Sequence, residues 1–349
     1  NPQGYLEPIF SAELFRRCRA ELEPRADLTR YTTADYVDDL DEVRRALGYG
    51  QINIQGGSYG SRVVLFYLRQ YPQHARTAFM DGVDPAATMR SPLFHAQDAQ
   101  AALDSVFALC AREAGCARAF PNLPRTFART MDRLRRAPAS VTVPHPSTGA
   151  PLRLTLDANA FAEGVRVMMY SWDRSRRLPL LLHRAHGGDY APFAEAALRN
   201  NAALRDMLRI GLGVSVLCYE DMPRINDADI VAETRGTFLG DLRVRTQRAA
   251  CAEWPRRDVP TRAAEPVVSD IPALLVSGAY DPATAPRWGD VAARTLSNSL
   301  HVVIPEAHTA GSPCVDRIRE EFLDRATVRG LDTSCVARMR LAPFILSED

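Results

Sequence analysis

The sequence predicts an α/β protein: a mostly parallel sheet flanked by helices and interrupted by a large helical insertion. Two observations carry this. Near the start, Gln51-Ile52-Asn53-Ile54 leads into Gly56-Gly57-Ser58-Tyr59-Gly60 and then into residues 62–68, an apolar stretch with helical spacing. A β-branched run, a G-x-S-x-G and a helix make the strand–turn–helix setting of a nucleophile elbow, whose glycines let the helix pass close to a serine on a strained turn. Near the end, residues 271–278 form a continuous apolar run, the mark of a strand buried on both faces, and residues 300–305 form another.

The elements follow in order. Residues 10–47 read as helical with a loop near 24–33, and residues 51–83 as strand, elbow, helix and strand, the second strand centred on 77–80. From about 85 to 270 the chain turns alanine- and arginine-rich, with helical segments at 96–114, 124–137, 157–170 and 189–210 and a short strand at 152–156. Residues 271–346 return to strand–helix–strand, with the helix at 288–296. The division is therefore 1–85 for the first part of the core, 86–265 for a helical cap and 266–349 for the second part of the core. A cap inserted between two sheet strands lies over the sheet's C-terminal edge and forms a substrate pocket there.

A nucleophilic Ser58 needs a base and an orienting acid, which in this architecture follow in the order Ser, Asp or Glu, His. Asp281 lies at the C-terminal end of the strand at 271–278, and His308 lies in the loop 306–311 beyond the next strand. Adjacent strand ends then bring acid and base together facing Ser58. Asp81, at the end of the strand at 77–80, is the rival acid, and the plain alternative for Asp281 is an Asp-Pro turn capping the next helix. Of the other histidines, His74, His95, His145, His183 and His186 sit in polar or helical stretches, and His301 falls inside a strand.

Several motifs resemble a known family. GGSYG, preceded by Asp41 and Arg44–Tyr49 and followed by Tyr71-Pro72 and Met80-Asp81-Gly82-Val83, is similar to the α/β-hydrolase peptidases of the prolyl aminopeptidase and tripeptidyl aminopeptidase group. Residues 277–284 resemble their acid motif, and the end of the chain, with His308, Cys314 and Cys335, resembles the C-terminal segment of the secreted tripeptidyl-aminopeptidase branch. The resemblance is specific at 30–85 and 270–336 and looser between. It implies an α/β-hydrolase fold with a helical cap, and an exopeptidase that releases residues from free N-termini of peptides, or a related esterase. It also implies a cap carboxylate for the substrate's ammonium, here Glu220 of the run 214–221, with Tyr219, Trp172 and Trp254 as candidate pocket walls.

One departure is large. The fold needs strands before the nucleophile strand, and the oxyanion hole needs two donors. The backbone N–H of Tyr59 is one; no His-Gly-Gly loop precedes the elbow to supply the other. The chain is therefore expected to be a C-terminal fragment whose partner is the missing N-terminal segment of the same protein.

Seven cysteines leave one over. Cys110 and Cys116 can close a tight local loop. Cys218 with Cys251 and Cys314 with Cys335 complete three pairs that match paired positions in the resembled branch. Cys18 is left free, or joined to the missing segment. Local pairing favours a secreted or periplasmic protein. Neither C-x-x-C nor H-E-x-x-H occurs, so no metal site is expected, and no cofactor.

At 349 residues with 46% apolar content the chain can bury a sizeable core. A net charge of +1 gives no reason to invoke nucleic acid or an anionic membrane. All 43 basic residues are arginine, and no apolar stretch reaches the ~18 residues of a membrane span. The expected function is a serine exopeptidase using Ser58, His308 and Asp281. A carboxylesterase or lipase with the same triad is the alternative, and an inactive hydrolase-fold fragment the third reading.

Overall fold

The computed structural model describes residues 2–309 and 311–347; Ala310 of the histidine loop lies outside them. Six strands occur among the described residues: β1 (Ile52–Ser58), β2 (Ala75–Val83), β3 (Ala139–Pro144), β4 (Pro151–Leu156), β5 (Ala273–Gly278) and β6 (Ser299–Ile304). Four of them make one parallel sheet in the order β1-β2-β5-β6. β5 is buried at every position, as its unbroken apolar run predicts. Register brings the C-terminal ends level: Gly57 faces Asp81, Asp81 faces Val276, and Gly278 faces Ile304. Ser58, Asp81, Asp281 and His308 thus emerge along one edge of the sheet, the place where open α/β sheets carry their chemistry.

The crossover from β1 to β2 is the helix Tyr59–Gln70, in which every residue from Ser61 to Leu68 is buried. Such all-round burial requires cover on both sides, supplied by the sheet and by the helix Thr33–Ala46. The latter begins with a capping box, Thr32 accepting from the Asp35 N–H while the Asp35 carboxylate receives the Thr32 N–H. β1 is an edge strand, and its Asn53 and Gln55 are exposed.

Between β2 and β5 the chain is helical, apart from the β3–β4 hairpin. The helices Ser91–Arg112, Leu123–Arg136, Ala158–Met168, Leu178–His186 and Ala191–Met207 enclose an apolar core of their own, with Phe127, Phe161 and Phe193 in contact in series. The helices Asp227–Thr234 and Leu242–Ala252 pack instead toward the helix Ala12–Leu22 and the start of Ser91–Arg112. The strand read at 152–156 is β4; its partner β3 went unread, although Val141 and Val143 are buried while Ser140 and Thr142 alternate with them toward solvent.

The expected strand–helix–strand at the C-terminal end is β5, the helix Pro286–Ala293 and β6, and a further helix follows it. After β6 comes the helix Pro313–Arg325, and the chain then returns in extended form to the insertion, where the Trp172 indole donates to the Ala342 carbonyl (2.8 Å) and the Ile345 N–H to the Arg176 carbonyl (3.0 Å). No partner strand is offered to that segment, so its backbone is satisfied by loops. Cys110–Cys116, Cys218–Cys251 and Cys314–Cys335 are disulfides, and Cys18 is a free thiol.

Candidate active site

Ser58 ends β1 with φ 54° and ψ −127°, a left-handed backbone that a non-glycine residue adopts only under constraint. The constraint is visible. A Cβ on Gly56 would lie 2.3 Å from the Gly60 carbonyl oxygen, so the turn closes only around a residue without a side chain. The Ser61 hydroxyl donates to the Ser58 carbonyl (2.6 Å) and accepts the Asp84 N–H (2.8 Å), tying the elbow to the chain beyond β2. Tyr59 opens the helix, which leaves its backbone N–H at the helix start beside Ser58, as an oxyanion donor requires. Its phenol oxygen lies 2.9 Å from the Thr33 hydroxyl.

His308 Nδ1 lies 2.8 Å from Asp281 Oδ2. The carboxylate is 2% exposed and held at both oxygens: the Ala283 and Thr284 N–H groups donate to Oδ1 (2.8 and 2.9 Å), and the Thr284 hydroxyl to Oδ2 (2.6 Å). Burial works to raise the Asp281 carboxyl, but His308 and the Thr284 hydrogen bonds prevail and hold it below its ordinary value. The Asp-Pro turn foreseen as the plain alternative is therefore present, and it serves to fix the carboxylate against the imidazole. Asp81 makes no contact with the imidazole; its Oδ1 is buried without a partner, and burial pushes its carboxyl up to about 6.

The loop bearing His308 folds over the elbow. A Cβ on Gly82, which has φ 63°, would lie 2.9 Å from the Thr309 methyl and 3.5 Å from His308 Cε1; one on Gly57 would meet the same methyl at 3.3 Å. The Ser58 hydroxyl itself makes no hydrogen bond among the described residues. In unliganded enzymes such catalytic contacts are commonly long and tighten on substrate binding. From the cap side the Tyr170 ring meets the His308 ring edge-on at 4.8 Å between centroids.

A second Ser-His-Asp line exists: Ser277 Oγ and Asp290 Oδ1 each lie 2.9 Å from a ring nitrogen of His301. Ser277 is 0% exposed in the middle of the sheet, so no substrate reaches it and the line is a cross-brace between β5, β6 and the helix Pro286–Ala293. His74 is likewise structural, its Nδ1 lying 2.8 Å from Asp41 Oδ1.

The structure corrects the reading of Glu220 as the ammonium site. The helix Ile210–Val216 runs into a π-helical turn, Leu217–Asp221, which directs Glu220 and Asp221 together at Arg62. Glu220 is 1% exposed and occupied at both oxygens: Oε1 accepts the Thr33 N–H (2.6 Å), and Oε2 accepts the Thr33 hydroxyl (2.8 Å) and faces Arg62 (3.4 Å). Asp221 takes both Arg62 Nη atoms (2.9 and 3.1 Å), and Asp84 lies 2.9 Å from Nη2. An ammonium has no open carboxylate here. The local run 214–221 shows two acids; the partner that closes them is 158 positions away for Glu220. The expected pocket walls are also packing residues: Trp254 is buried and donates to Ser215 Oγ (2.9 Å), Tyr219 to the Leu28 carbonyl (2.9 Å), and Trp172 lies between Tyr280 and Phe344.

Sequence reasoning missed a cap cluster behind Tyr170. Glu163 accepts from Arg166 Nε and Nη2 (2.8 and 2.6 Å) and from Arg243 Nη1 (3.2 Å), and Arg166 Nη1 donates to the Tyr170 phenol oxygen (2.7 Å). Glu163 and Arg166 stand three apart on one helix, a pairing legible in the sequence; the link to His308 is not. Among the described residues no group of three or more His, Cys, Asp or Glu is placed to hold a metal ion, and no helix is long and apolar enough to cross a membrane.

The chain is similar to known proteins. A family model described as TAP-like protein matches residues 238–335. Serine protease Hip1 of Mycobacterium tuberculosis is 27% identical over 337 residues, covering 88% of this chain and 62% of that protein; its Mycobacterium bovis counterpart matches to the same extent. The chain thus spans less than two thirds of the length of these relatives. Proline iminopeptidase of Xylella fastidiosa is 37% identical over 60 residues, 17% of this chain and 19% of that protein. Among solved structures, a thermophilic esterase from Thermogutta terrifontis is 17% identical, with 85% of this chain and 74% of that chain covered and a TM-score of 0.32.

Proposed function

We propose that this chain, which is similar to α/β-hydrolase serine peptidases, carries the catalytic centre of an exopeptidase acting on free peptide N-termini. The reading rests above all on His308 Nδ1 at 2.8 Å from Asp281 Oδ2, beside a serine held at positive φ. In this mechanism Ser58 Oγ attacks the scissile carbonyl while His308 takes the proton and later returns it to the leaving amine. Asp281 keeps the imidazole in the tautomer that presents Nε2 to the serine, and the Tyr59 N–H stabilises the oxyanion.

The partner in this reading is an upstream segment of the same protein that pairs with β1 and supplies the second oxyanion donor. Two features support it: the free edge of β1, and the exposed apolar residues Tyr36, Val43 and Leu47 on and just past the helix Thr33–Ala46. Three disulfides favour an extracellular or envelope location.

The deciding experiment compares a peptide anilide bearing a free N-terminus with its acetylated twin, using the full-length protein. Faster cleavage of the free peptide by tenfold or more upholds the exopeptidase, and equal rates reject it. One observation favours a carboxylesterase with the same three residues: Glu220, the cap carboxylate invoked for the ammonium, is closed by Thr33 and Arg62. Rapid hydrolysis of neutral acyl esters with no anilide turnover would establish that reading.

A further inference from the structure

A cavity of about 690 Å³ lies beside Glu163 and Arg243 of the cap rather than at Ser58. Apolar residues of the N-terminal segment (Leu6, Ile9, Phe10) and of the helix Leu242–Ala252 wall it, and Glu163 and Arg243 stand in its lining. The charges there do not balance. Arg166 and Arg243 share the single carboxylate of Glu163, and Arg166 already occupies both of its oxygens. The Arg243 guanidinium donates one hydrogen bond, at 3.2 Å to an oxygen it shares, and lies over the Phe10 ring at 6.0 Å, while its Nε is buried with no hydrogen-bond partner.

Two further acids, Glu7 and Asp157, line the cavity, and neither is paired with Arg243. Asp157 caps the helix Ala158–Met168 by accepting the Ala160 N–H (2.7 Å), and Arg153 donates to Ser140 Oγ (2.7 Å). The nearby His95 has a buried Nδ1 without a partner, and burial together with Arg243 and Arg166 holds the ring well below its ordinary pKa, hence neutral. Burial works to raise the Glu163 carboxyl, but Arg166 and Arg243 prevail and hold it at about 2, so it is an anion whose charge the two guanidiniums already share. Burial and Arg166 lower the Arg243 guanidinium, the sign of a cation short of an anion. At Glu163 itself a cation would meet two guanidiniums, whereas an anion beside Arg243 would complete the set.

We propose that this cavity is a substrate subsite in which Arg243 binds a carboxylate of the peptide, either its free C-terminus or an Asp or Glu side chain. A guanidinium presents paired donors that suit a carboxylate, and a largely desolvated pairing makes the preference strong. The site connects to the chemistry through Arg166, which holds the Tyr170 phenol at 2.7 Å, and through the Tyr170 ring set against His308. Arg243 is thus a specificity residue, and Arg166 and Tyr170 are positioning residues for the imidazole.

The inference rests on the peptidase reading, and its test separates the two. The full-length protein carrying Ser58→Ala is titrated by calorimetry with an alanine pentapeptide as the free acid, as the C-terminal amide, and as the amide with glutamate or glutamine at each position in turn. Tighter binding of the free acid than of the amide, by at least tenfold, identifies the C-terminus as the ligand; the same gap between a glutamate and a glutamine amide identifies a side chain. Arg243→Gln should erase the gap and Arg243→Lys keep part of it. Thr246→Trp, which fills the cavity from the same helix and leaves the charges in place, should abolish binding of acid and amide alike, and it serves where Arg243→Gln does not fold. Equal binding of acidic and neutral peptides, a gap that survives Arg243→Gln, unchanged acid binding in Thr246→Trp, or no binding of any peptide would each overturn the subsite. Fluorophosphonate labelling of the unmutated Ser58 reports on the hydrolase reading independently of these outcomes.

Discussion

Thr284 holds Asp281 twice, through its N–H to Oδ1 at 2.9 Å and through its hydroxyl to Oδ2 at 2.6 Å, and that hydroxyl also lies 3.1 Å from His308 Nδ1. The acid of the candidate triad is therefore oriented by a residue three positions on. A turn that would otherwise merely cap a helix becomes the clamp that decides which carboxylate meets the imidazole.

Removing the hydroxyl tests the clamp. A hydrogen bond to a buried charged group contributes about 1.5–3 kcal/mol. Thr284→Val should lower kcat/KM by about tenfold or more, with Thr284→Ser restoring most of it. The Asp281 carboxyl is held below its ordinary value in the folded protein, so its stabilisation is present above the unfolded pKa and is lost as pH falls through the folded one. Without the Thr284 hydroxyl the folded value rises toward the unfolded one, so stability measured against pH should fall less and stop falling at a higher pH; an unchanged pH dependence would mean that the hydroxyl contributes nothing.

The elbow predicts opposite effects on stability and activity. A non-glycine residue at the φ of 54° seen for Ser58 stores about 1–3 kcal/mol. Ser58→Gly should raise stability by about 1–2 kcal/mol in denaturant melts, and Ser58→Ala should not. Both should abolish turnover and fluorophosphonate labelling. Labelling that persists in Ser58→Ala would remove Ser58 from the mechanism.

Asp81 carries a buried oxygen without a partner, and its carboxyl is raised to about 6 from 3.8. A raised folded pKa gives stability that is full below the unfolded value and lost as pH rises through the folded one. The shift corresponds to about 3 kcal/mol lost between roughly pH 4 and pH 7. Asp81→Asn should flatten that decline, gaining stability at pH 8 and none at pH 4, while keeping activity, as the proposed role of Asp281 as the acid requires. A loss of activity as large as that of Asp281→Asn would reverse the assignment.

The parts legible in the sequence were those fixed by local constraint. The elbow needs glycines at set spacings, β5 needs an unbroken apolar run, and Cys110–Cys116 closes a short loop. The meeting of Asp281 and His308 was legible because each follows the end of a recognisable strand. What remained hidden depends on distant partners. Glu220 reads as an open acid until Arg62 and Thr33 arrive from the helices Tyr59–Gln70 and Thr33–Ala46, and Glu163 reads as an ordinary helix-face pair until Arg243 leaves its charge unbalanced. Strand β3 is a different case: Val141 and Val143 carry the alternation, but its flanking Pro138 and Pro144 obscure so short a strand.

The network around Arg62 supplies the last prediction. One guanidinium, fully buried, faces the carboxylates of Asp84, Glu220 and Asp221. Burial pushes the Asp84 and Glu220 carboxyls up, so together they weaken the fold as pH rises through their folded values. Arg62→Met would leave the acids without their cation and should destabilise by about 3–5 kcal/mol, enough to compromise folding. Glu220→Gln keeps an acceptor for Thr33 and removes one negative charge from an excess, so it should be neutral or stabilising at pH 8 and slightly destabilising at pH 4. Because the carboxylate is closed, Glu220→Gln should also leave the rate ratio of free to acetylated peptides unchanged. A ratio that collapses in Glu220→Gln with stability intact would return Glu220 to the substrate, and the network around Arg62 would then have to open on binding.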